Sequence, residues 1–364
     1  MWGIQPIIII RGLSEMRKIM VFTSTRAEYG LLKPTLKMIQ NSPDLKLILI
    51  VAGDHLLIQK GGTINEIRED GLEITEIVPY TLAHDSSEAI SKSIGLATID
   101  LATILRRHNP DIILLLGDRY ELMSIAVCAL IQRISLAHIA GGETTQGALD
   151  EQVRHALTKM SHLHFAATRE YGWHIRQMGE ELWRIHVVGS PGIENIYRAD
   201  YLNSEEIKAS YHIDPVKPTM LVTFHPETLT KEGYTKQQLK ELTDALGQFP
   251  DFQQVITYPG TESGYLLIIR AWEEYASNHQ NVILKKSLGS RCYLGLMRHV
   301  AVVIGNSSSG VIEAPSFGVP TVNIGDRQKG RSKAQSQIDV RCRTGEIVNG
   351  VKKALFDEQF RKGV

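Results

Sequence analysis

The chain has 364 residues, enough for two average domains, and 43% of them are hydrophobic, so we expect a well-packed globular protein. Lysine plus arginine and aspartate plus glutamate number 40 each, which gives a formal net charge of +0. A neutral chain has no bulk attraction to nucleic acid or to an acidic membrane, so neither is an expected partner, and any basic cluster must act locally.

The cysteines and the N-terminus indicate a cytoplasmic protein. Cys128, Cys292 and Cys342 are scattered, with neither metal-ligand spacing nor a paired framework, which suits a reducing compartment. Residues 1–16 differ from the rest and are predicted to be an N-terminal extension, in which Ile7–Ile10 is too short for a signal sequence or a membrane span. No later stretch is long and apolar enough to cross a bilayer.

No cofactor or metal is predicted. The 13 histidines do not combine with further ligands at a metal-binding spacing. No Gly-x-Gly-x-x-Gly follows the first predicted strand, and no Gly-Lys-Ser/Thr signature is present, so neither a dinucleotide nor a P-loop nucleotide site is expected.

In chain order, short apolar runs alternate with helical patterns through the first half. The predicted strands are Ile19–Thr23, Leu45–Val51, Ile74–Val78, Ile112–Leu116, Ser135–Ile139, Leu163–Ala167 and Ile185–Val188. The predicted helices between them include Leu31–Gln40, Ile90–His108 and Glu121–Gln132. Continuous Ile/Leu/Val runs are typical of strands buried on both faces, and strand-helix alternation predicts right-handed βαβ units with a parallel sheet.

The alternation pauses over the polar stretch Pro191–Pro218, which carries a helical piece at Asp200–Tyr211, and then restarts. The later predicted strands are Met220–Phe224, Gln253–Thr257, Asn281–Leu284, Val300–Ile304 and Thr321–Ile324. We therefore predict an α/β protein with two Rossmann-like doubly wound domains, 17–190 and 191–364, that face each other across a cleft where the ligand binds.

The stretch Val300–Arg331 predicts an anion-binding site. Its predicted strand runs into a small polar turn of residues 305–310, and a helix is predicted from about Ser309 to Phe317. Backbone N–H groups and hydroxyls of Ser307, Ser308, Ser309 and Gly310 converge there, as they do at diphosphate sites. The alternative is an ordinary turn with serine as the helix N-cap.

Charged residues that flank this turn suit a nucleotide. Glu313, one turn into the predicted helix, is placed to accept from sugar hydroxyls such as those of a ribose. Arg327, Lys329 and Arg331 follow the next strand and are placed to close on the anion.

Polar residues also follow the strands of the first half, where a parallel sheet places its ligands. Arg26 is a candidate phosphate contact and His55 a candidate sugar contact; the alternatives are a surface arginine and a turn-capping histidine.

Three acids, Asp118, Glu143 and Asp150, fall near one sheet edge, with Arg119 beside the first. Close carboxylates push their pKa values apart, which suits one general acid and one general base. The alternatives are a helix N-cap at Asp118 and a solvated acidic loop.

His225 follows a strand of the second half, so it should reach the cleft from the other side, with Pro226 restricting the backbone after it. There it is placed to pair with a diphosphate or to protonate a leaving oxygen. The turn of residues 258–264 follows the next strand in the same way.

Taken together, these motifs resemble the hydrolysing UDP-N-acetylglucosamine 2-epimerases of sialic acid biosynthesis and their relatives that act on UDP-diacetylbacillosamine in legionaminic acid synthesis. The likeness runs from about Arg17 to the C-terminus. It rests on STRAEYG (24–30), GDRYE (117–121), HIAGGETTQGALDEQVRHALTKMSHLHF (138–165), HPET (225–228) and GNSSSGVIEAPSFGVPTVNIGDRQKGR (305–331).

The resemblance implies a GT-B-like fold with UDP held mainly by the second domain, at Ser307, Ser308, Glu313 and Arg327. It implies that Arg26 and His225 lie near the diphosphate and that Asp118, Glu143 and Asp150 lie at or beside the catalytic acids. It further implies a homo-oligomer, dimeric or tetrameric. One position departs from the family pattern: many members carry Glu where this chain has Ala140, so either Glu143 assumes that role or the acid is supplied differently.

The implied reaction turns UDP-N-acetylglucosamine and water into N-acetylmannosamine and UDP. A base removes the C2 proton while UDP leaves from C1, and water then adds to the 2-acetamidoglucal. The alternative substrate carries an acetamido group at C4, as in UDP-N,N'-diacetylbacillosamine. Competing functions are a GT-B glycosyltransferase, a non-hydrolysing epimerase and a non-catalytic sugar-nucleotide sensor; the acid cluster favours proton transfer at the sugar.

Overall fold

The computed structural model describes residues 16–58, 61–82, 86–146, 148–198, 200–227, 233–260, 262 and 264–364. Apart from Met16, the predicted N-terminal extension lies outside this part of the chain, as do Thr228, Thr261 and Ser263 of the predicted strand-end turns.

The first lobe is built on a seven-stranded parallel sheet. Its strands are β1 (Arg17–Thr23), β2 (Leu45–Ala52), β3 (Glu76–Val78), β4 (Ile112–Leu116), β5 (Ser135–Ile139), β6 (Leu163–Ala166) and β7 (Ile185–Val187), in the order β3-β2-β1-β4-β5-β6-β7. The helices are α1 (Arg26–Gln40), α2 (Ile64–Glu69), α3 (Ser87–His108), α4 (Leu122–Gln132), α5 (Asp150–Met160) and α6 (Arg169–Gln177). The order reverses beside β1, which opens a crevice at the carboxyl ends of β1 and β4.

The second lobe repeats this plan with six parallel strands. These are β8 (Thr219–Thr223), β9 (Gln253–Thr257), β10 (Val282–Lys285), β11 (Val302–Gly305), β12 (Thr321–Ile324) and β13 (Gln337–Val340), in the order β10-β9-β8-β11-β12-β13. The remaining helices are α7 (Pro191–Arg198), α8 (Ser204–Tyr211), α9 (Tyr234–Leu246), α10 (Tyr265–Asn278), α11 (Gly289–Met297), α12 (Ser308–Ile312), α13 (Thr344–Phe356) and α14 (Glu358–Arg361). The predicted fold class of two doubly wound α/β domains is confirmed.

Each sheet is buried on both faces, which is why its strands are continuously apolar. In β1, Met20 and Phe22 join the core under α3 and α4, while Val21 between them joins the core under α1. The second sheet divides in the same way, with Met220 and Leu221 of β8 in opposite cores. Two covered faces make each sheet a rigid platform for the loops at its strand ends.

Three local predictions are corrected. Helix α1 begins at Arg26, not Leu31, because the side chain of Thr25 caps it by accepting from the backbone N–H of Glu28. The single helix predicted after the serine turn is the short α12 followed by a 3₁₀ turn, Ala314–Phe317, with Pro315 at the break. Strand β13 was not predicted, because this edge strand is short and only partly buried.

The division between the domains falls in the connection from Val187 to Thr219, and we propose the boundary near residue 190. Past that point α7 packs on α1 of the first lobe, and the side-chain amide of Asn195 donates to the carbonyl oxygen of Gly30 at 2.5 Å. In the described part of the chain, no helix combines the length and the apolar character that a bilayer span requires.

Candidate active site

The carboxyl ends of the two sheets face each other across a cavity of about 420 Å³. Twelve of the fourteen predicted site residues line it: Arg26, Asp118, Arg119, Glu143, Asp150, His225, Ser307, Ser308, Ser309, Glu313, Arg327 and Arg331. Arg26 and Glu143 are 117 positions apart in the chain, and Asp118 and Ser308 are 190 positions apart. They share one cleft because the two parallel sheets present their strand-end loops to each other.

Each predicted acid of the first lobe has its own guanidinium. Asp118 pairs with Arg154 of α5. Glu143 lies 3.2 Å from Arg331, and Asp150 lies 3.1 Å from Arg327. Because Arg331 and Arg327 belong to the second lobe, Glu143 and Asp150 are neutralised across the cleft, whereas Asp118 is neutralised within its own lobe.

Glu143 is the most enclosed of the three acids, with 6% of its surface exposed. Burial raises the pKa of its carboxyl, and the nearby Arg331 opposes that rise. The predicted cause, repulsion between neighbouring carboxylates, is therefore wrong for this residue. Gly142 enables the placement, since its φ is +72° and a Cβ there would lie 2.5 Å from the carbonyl oxygen of Tyr171.

His225 enters from the second lobe as a neutral imidazole. The backbone N–H of Gly260 donates to its Nδ1 at 3.3 Å, so the ring proton is on Nε2. Burial lowers its pKa, and Arg327 lowers it further. The side chain of Asn306 holds the His225 backbone on both sides, at 2.7 Å from its N–H and 2.9 Å from its carbonyl oxygen.

Glu262 is a site residue that the sequence did not single out, although its strand-end turn was noted. Its Oε1 lies 3.2 Å from Arg119 of the first lobe and 3.5 Å from Arg327. Burial raises the pKa of Glu262, but the charges of Arg119 and Arg327 outweigh it and hold that pKa well below its usual range. The Nδ1 of His225 lies 3.8 Å from Oε2, too far for a hydrogen bond.

Two further buried side chains were missed in the first lobe. Arg154 is 1% exposed and, besides pairing with Asp118, donates to the carbonyl oxygen of Glu143 at 3.0 Å. Glu28 lines the cleft with its Oε2 accepting from the backbone N–H of Ser24 at 2.8 Å, and burial raises its pKa to about 7. The sequence analysis selected polar residues that directly follow a strand, and these two lie within helices α5 and α1, so it did not select them.

The serine turn lies where β11 meets α12. Gly305 has a φ of +134°, and a Cβ there would lie 1.9 Å from the carbonyl oxygen of Thr223, so only glycine lets the turn pass this close to β8. Ser307 caps α12 by accepting from the N–H of Ser309 at 3.4 Å. Glu313 follows on the cleft wall, and burial raises its pKa.

Arg26 lies at the start of α1 and reaches toward the second lobe. Its Nε contacts Glu66 at 3.3 Å, and its Nη2 lies 3.6 Å from where a Cβ of Gly289 would be. Its side chain is 22% exposed, and it lines the cleft opposite the serine turn.

Two predicted contacts do not line the cleft. His55 is 0% exposed, and its ring nitrogens contact the hydroxyls of Thr23 at 3.1 Å and Thr63 at 2.7 Å, so its ring is held inside the first lobe. Gly310 packs against Thr321, where a Cβ would lie 2.7 Å from the threonine methyl group. Its role is close helix–sheet packing.

Among the described residues, no three His, Cys, Asp or Glu side chains are grouped to hold a metal ion. The cleft instead offers carboxylates, guanidinium groups, a neutral histidine and serine hydroxyls. This set can bind an anion from the second lobe and move protons from the first.

Two doubly wound sheets that face each other across such a cleft define a GT-B-like fold. The sequence profile of the UDP-N-acetylglucosamine 2-epimerase family matches residues 37–363. The chain therefore belongs to the UDP-N-acetylglucosamine 2-epimerase family, and the resemblance inferred from its motifs is confirmed.

Named relatives agree with this assignment. The chain is 38% identical to a GDP/UDP-N,N'-diacetylbacillosamine 2-epimerase (hydrolyzing) of Campylobacter jejuni, over 89% of this chain and 84% of that one. It is 35% identical to a UDP-N,N'-diacetylbacillosamine 2-epimerase (hydrolyzing) of Legionella pneumophila, over 93% of this chain and 89% of that one. The crystal structure of UDP-GlcNAc 2-epimerase from Neisseria meningitidis bound to UDP-GlcNAc shares the fold, with a TM-score of 0.77, 18% identity, and coverage of 95% of this chain and 94% of that one.

Proposed function

We propose that this protein is a hydrolysing 2-epimerase that converts a UDP-2-acetamido sugar and water into the free 2-epimeric sugar and UDP. The observation that carries the proposal is that Asp118, Glu143 and Asp150 of one lobe and the serine turn of the other line a single cavity of about 420 Å³. A cavity of this size with anion donors at one side and acids at the other suits a sugar nucleotide.

The second lobe holds UDP in this proposal. Ser307, Ser308 and Arg327 donate to the diphosphate, Arg26 approaches it from the first lobe, and Glu313 accepts from the ribose. Helix α12 has only five residues, so hydroxyl and guanidinium donors supply most of the binding. The same donors stabilise UDP as it leaves with the electrons of the C1–O bond.

The first lobe moves the protons. One carboxylate takes the proton from C2 as UDP departs, which leaves a 2-acetamidoglucal; water then adds its oxygen at C1 and a proton returns to C2 on the opposite face. Glu143 is suited to this work because burial raises the pKa of its carboxyl, which makes this group a better proton acceptor and donor than an exposed carboxylate. His225 carries a proton on Nε2 and is placed beside the leaving diphosphate.

Two substrates are proposed. UDP-N-acetylglucosamine is the first, and it yields N-acetylmannosamine. UDP-N,N'-diacetylbacillosamine is the second, and two observations favour it: relatives with 38% and 35% identity carry that sugar in their names, and Ala140 lines the cleft where many members have glutamate. A small apolar residue at the sugar end leaves room for a C4 acetamido group.

The test is turnover of both UDP-sugars in D₂O without an acceptor. We expect UDP and the free epimerised sugar, with solvent deuterium at C2, from at least one of them. Product without deuterium would rule out proton abstraction at C2, and UDP-ManNAc would identify a non-hydrolysing epimerase. A requirement for an acceptor would identify a glycosyltransferase, and UDP-sugar binding without turnover would identify a sensor.

We also propose that the chain forms a homo-oligomer, dimeric or tetrameric. Helices α3 and α4 pack side by side and expose an apolar face formed by Leu96, Ile99, Val127, Leu130 and Ile131. A face of this kind is typical of a subunit contact. The molar mass measured by light scattering after size-exclusion chromatography should be two or four times 40.7 kDa. A monomer at micromolar concentration would contradict the proposal.

A further inference from the structure

A second set of contacts joins the lobes beside the catalytic acids. The segment 143–146 of the first lobe meets the segment 329–331 of the second, and we call these two segments the inter-lobe clasp. The backbone N–H of Gln146 donates to the carbonyl oxygen of Lys329 at 3.1 Å, and the hydroxyl of Thr144 donates to the carbonyl oxygen of Gly330. Arg331 adds a contact to the Thr145 hydroxyl at 3.4 Å.

Through the clasp, the second lobe holds the first-lobe loop that carries Glu143. Within the first lobe, Arg154 holds this loop by donating hydrogen bonds to the carbonyl oxygen of Glu143 and, at 2.7 Å, to the Thr145 hydroxyl. The Glu143 carboxylate itself is held by Arg331, at 3.2 Å, from the second lobe. The position of this carboxylate in the cleft thus depends on the second lobe being in place.

The same segment continues directly from the residues assigned to the nucleotide. The turn of residues 326–331 is closed by N–H groups of Lys329 and Arg331, which donate to the carbonyl oxygens of Asp326 at 3.0 Å and Gln328 at 3.3 Å. Arg327 therefore shares one tight turn with the clasp.

Gly330 suits this close approach. Its φ is +88°, and a Cβ there would lie 3.0 Å from the Thr144 hydroxyl and 3.2 Å from the Gln146 side-chain amide. An alanine there would strain the backbone and would displace the Thr144 hydroxyl and the Gln146 side-chain amide that it meets.

We propose that the inter-lobe clasp is a positioning device, with Gly330 and Thr144 as its positioning residues, that places the Glu143 carboxyl for proton transfer. The proposal rests on the proposed function, because it gives Glu143 a reaction to serve. It predicts that loosening the clasp lowers turnover while UDP affinity is retained, since Ser307, Ser308 and Arg327 are unchanged.

The matched pair of variants is Gly330→Ala and Gly318→Ala. Gly318, in the same lobe, also has a positive φ, +64°, but a Cβ there meets no heavy atom within 4 Å, so its variant carries backbone strain without touching the clasp. Thr144→Val is a further variant that removes only the hydroxyl donated to Gly330. Steady-state kcat and KM with both UDP-sugars and the Kd of UDP are measured for all four proteins.

For Gly330→Ala we expect kcat to fall about 10- to 100-fold, the scale of a misplacement of about 1 Å in a reacting group. The UDP Kd should stay within about threefold of wild type, the control should keep the wild-type kcat, and Thr144→Val should lower kcat in the same direction by about two- to fivefold, the worth of one lost hydrogen bond.

A kcat of Gly330→Ala equal to that of the control, or a loss of UDP affinity as large as the loss of kcat, would overturn the clasp. If Gly330→Ala does not fold, an unchanged kcat of Thr144→Val would overturn it. A wild-type protein that releases UDP from neither sugar would instead overturn the proposed function itself.

Discussion

Arg327 is the residue whose replacement tests the nucleotide site most directly. Arg327 is 7% exposed, and its guanidinium lies 3.1 Å from Asp150, 3.5 Å from Glu262 and 3.4 Å from the carbonyl oxygen of Asn306. We expect Arg327→Ala to lose one charged hydrogen bond to the diphosphate, worth about 1.5–3 kcal/mol. The UDP Kd should rise about 10- to 150-fold.

The upper part of that range is the more reasonable expectation. Without the guanidinium, the carboxylates of Asp150 and Glu262 lose a shared counter-charge, and both then repel the anionic ligand. Removal of one partner from a buried ion pair also leaves the other partner poorly solvated.

The assay is titration calorimetry with UDP at constant ionic strength, on protein shown to be folded by circular dichroism. Lys333→Ala is the matched control, because Lys333 follows in the same loop but is 52% exposed, pairs with Asp339 and does not line the cleft. We expect its UDP Kd to stay within about twofold of wild type, the range of an exposed ion pair. An Arg327→Ala protein that binds UDP as tightly as wild type would refute the assignment of this residue.

Three other predictions concern the first lobe. Glu143→Gln should keep its UDP affinity and lose about 10²–10⁴-fold in kcat, as for a missing acid–base group, and an active variant would move this role to another residue. Gly142→Ala should unfold at lower urea concentration than wild type, because its φ of +72° and the 2.5 Å approach to Tyr171 exclude a Cβ; equal midpoints would contradict this reasoning. Burial raises the pKa of Glu28 from 4.5 to about 7, so its contribution to the free energy of unfolding is complete below pH 4.5 and is lost as the pH rises through 7. Between pH 5 and pH 8, the free energy of unfolding in urea should therefore fall less for Glu28→Gln than for wild type, by at most about 3 kcal/mol. An identical fall in the two proteins would show that Glu28 does not titrate in this range.

Much of the fold was readable from the sequence because both sheets are covered on both faces. Burial on two sides favours apolar residues along a whole strand, so the run Ile112–Leu116 coincides with the observed strand β4. Gln253–Thr257 also coincides with β9, although Gln253, Gln254 and Thr257 are buried polar residues. The start of α1 was placed at Leu31, whereas the Thr25 cap and the core contacts of Tyr29 and Leu32 begin the helix at Arg26.

The site residues could be predicted where they directly follow a strand. Asp118, His225 and the serine turn each come directly after a buried strand, and strand ends of parallel sheets form one rim. The rule also selected His55, which turns inward to Thr23 and Thr63, because a strand-end position does not determine the direction of a side chain.

The amino-acid order alone determined the two α/β domains, the family and most of the residues around the cleft, because these depend on local apolar periodicity and on motifs that can be read without distances. The pairing of charges depended on the folded chain: Arg331 with Glu143, Arg327 with Asp150, and Arg119 with Glu262 join residues that lie more than a hundred positions apart. Such pairs form only when two lobes approach, and burial then sets which carboxyl holds a proton, so neither the partners nor the pKa directions are encoded in any local stretch of sequence.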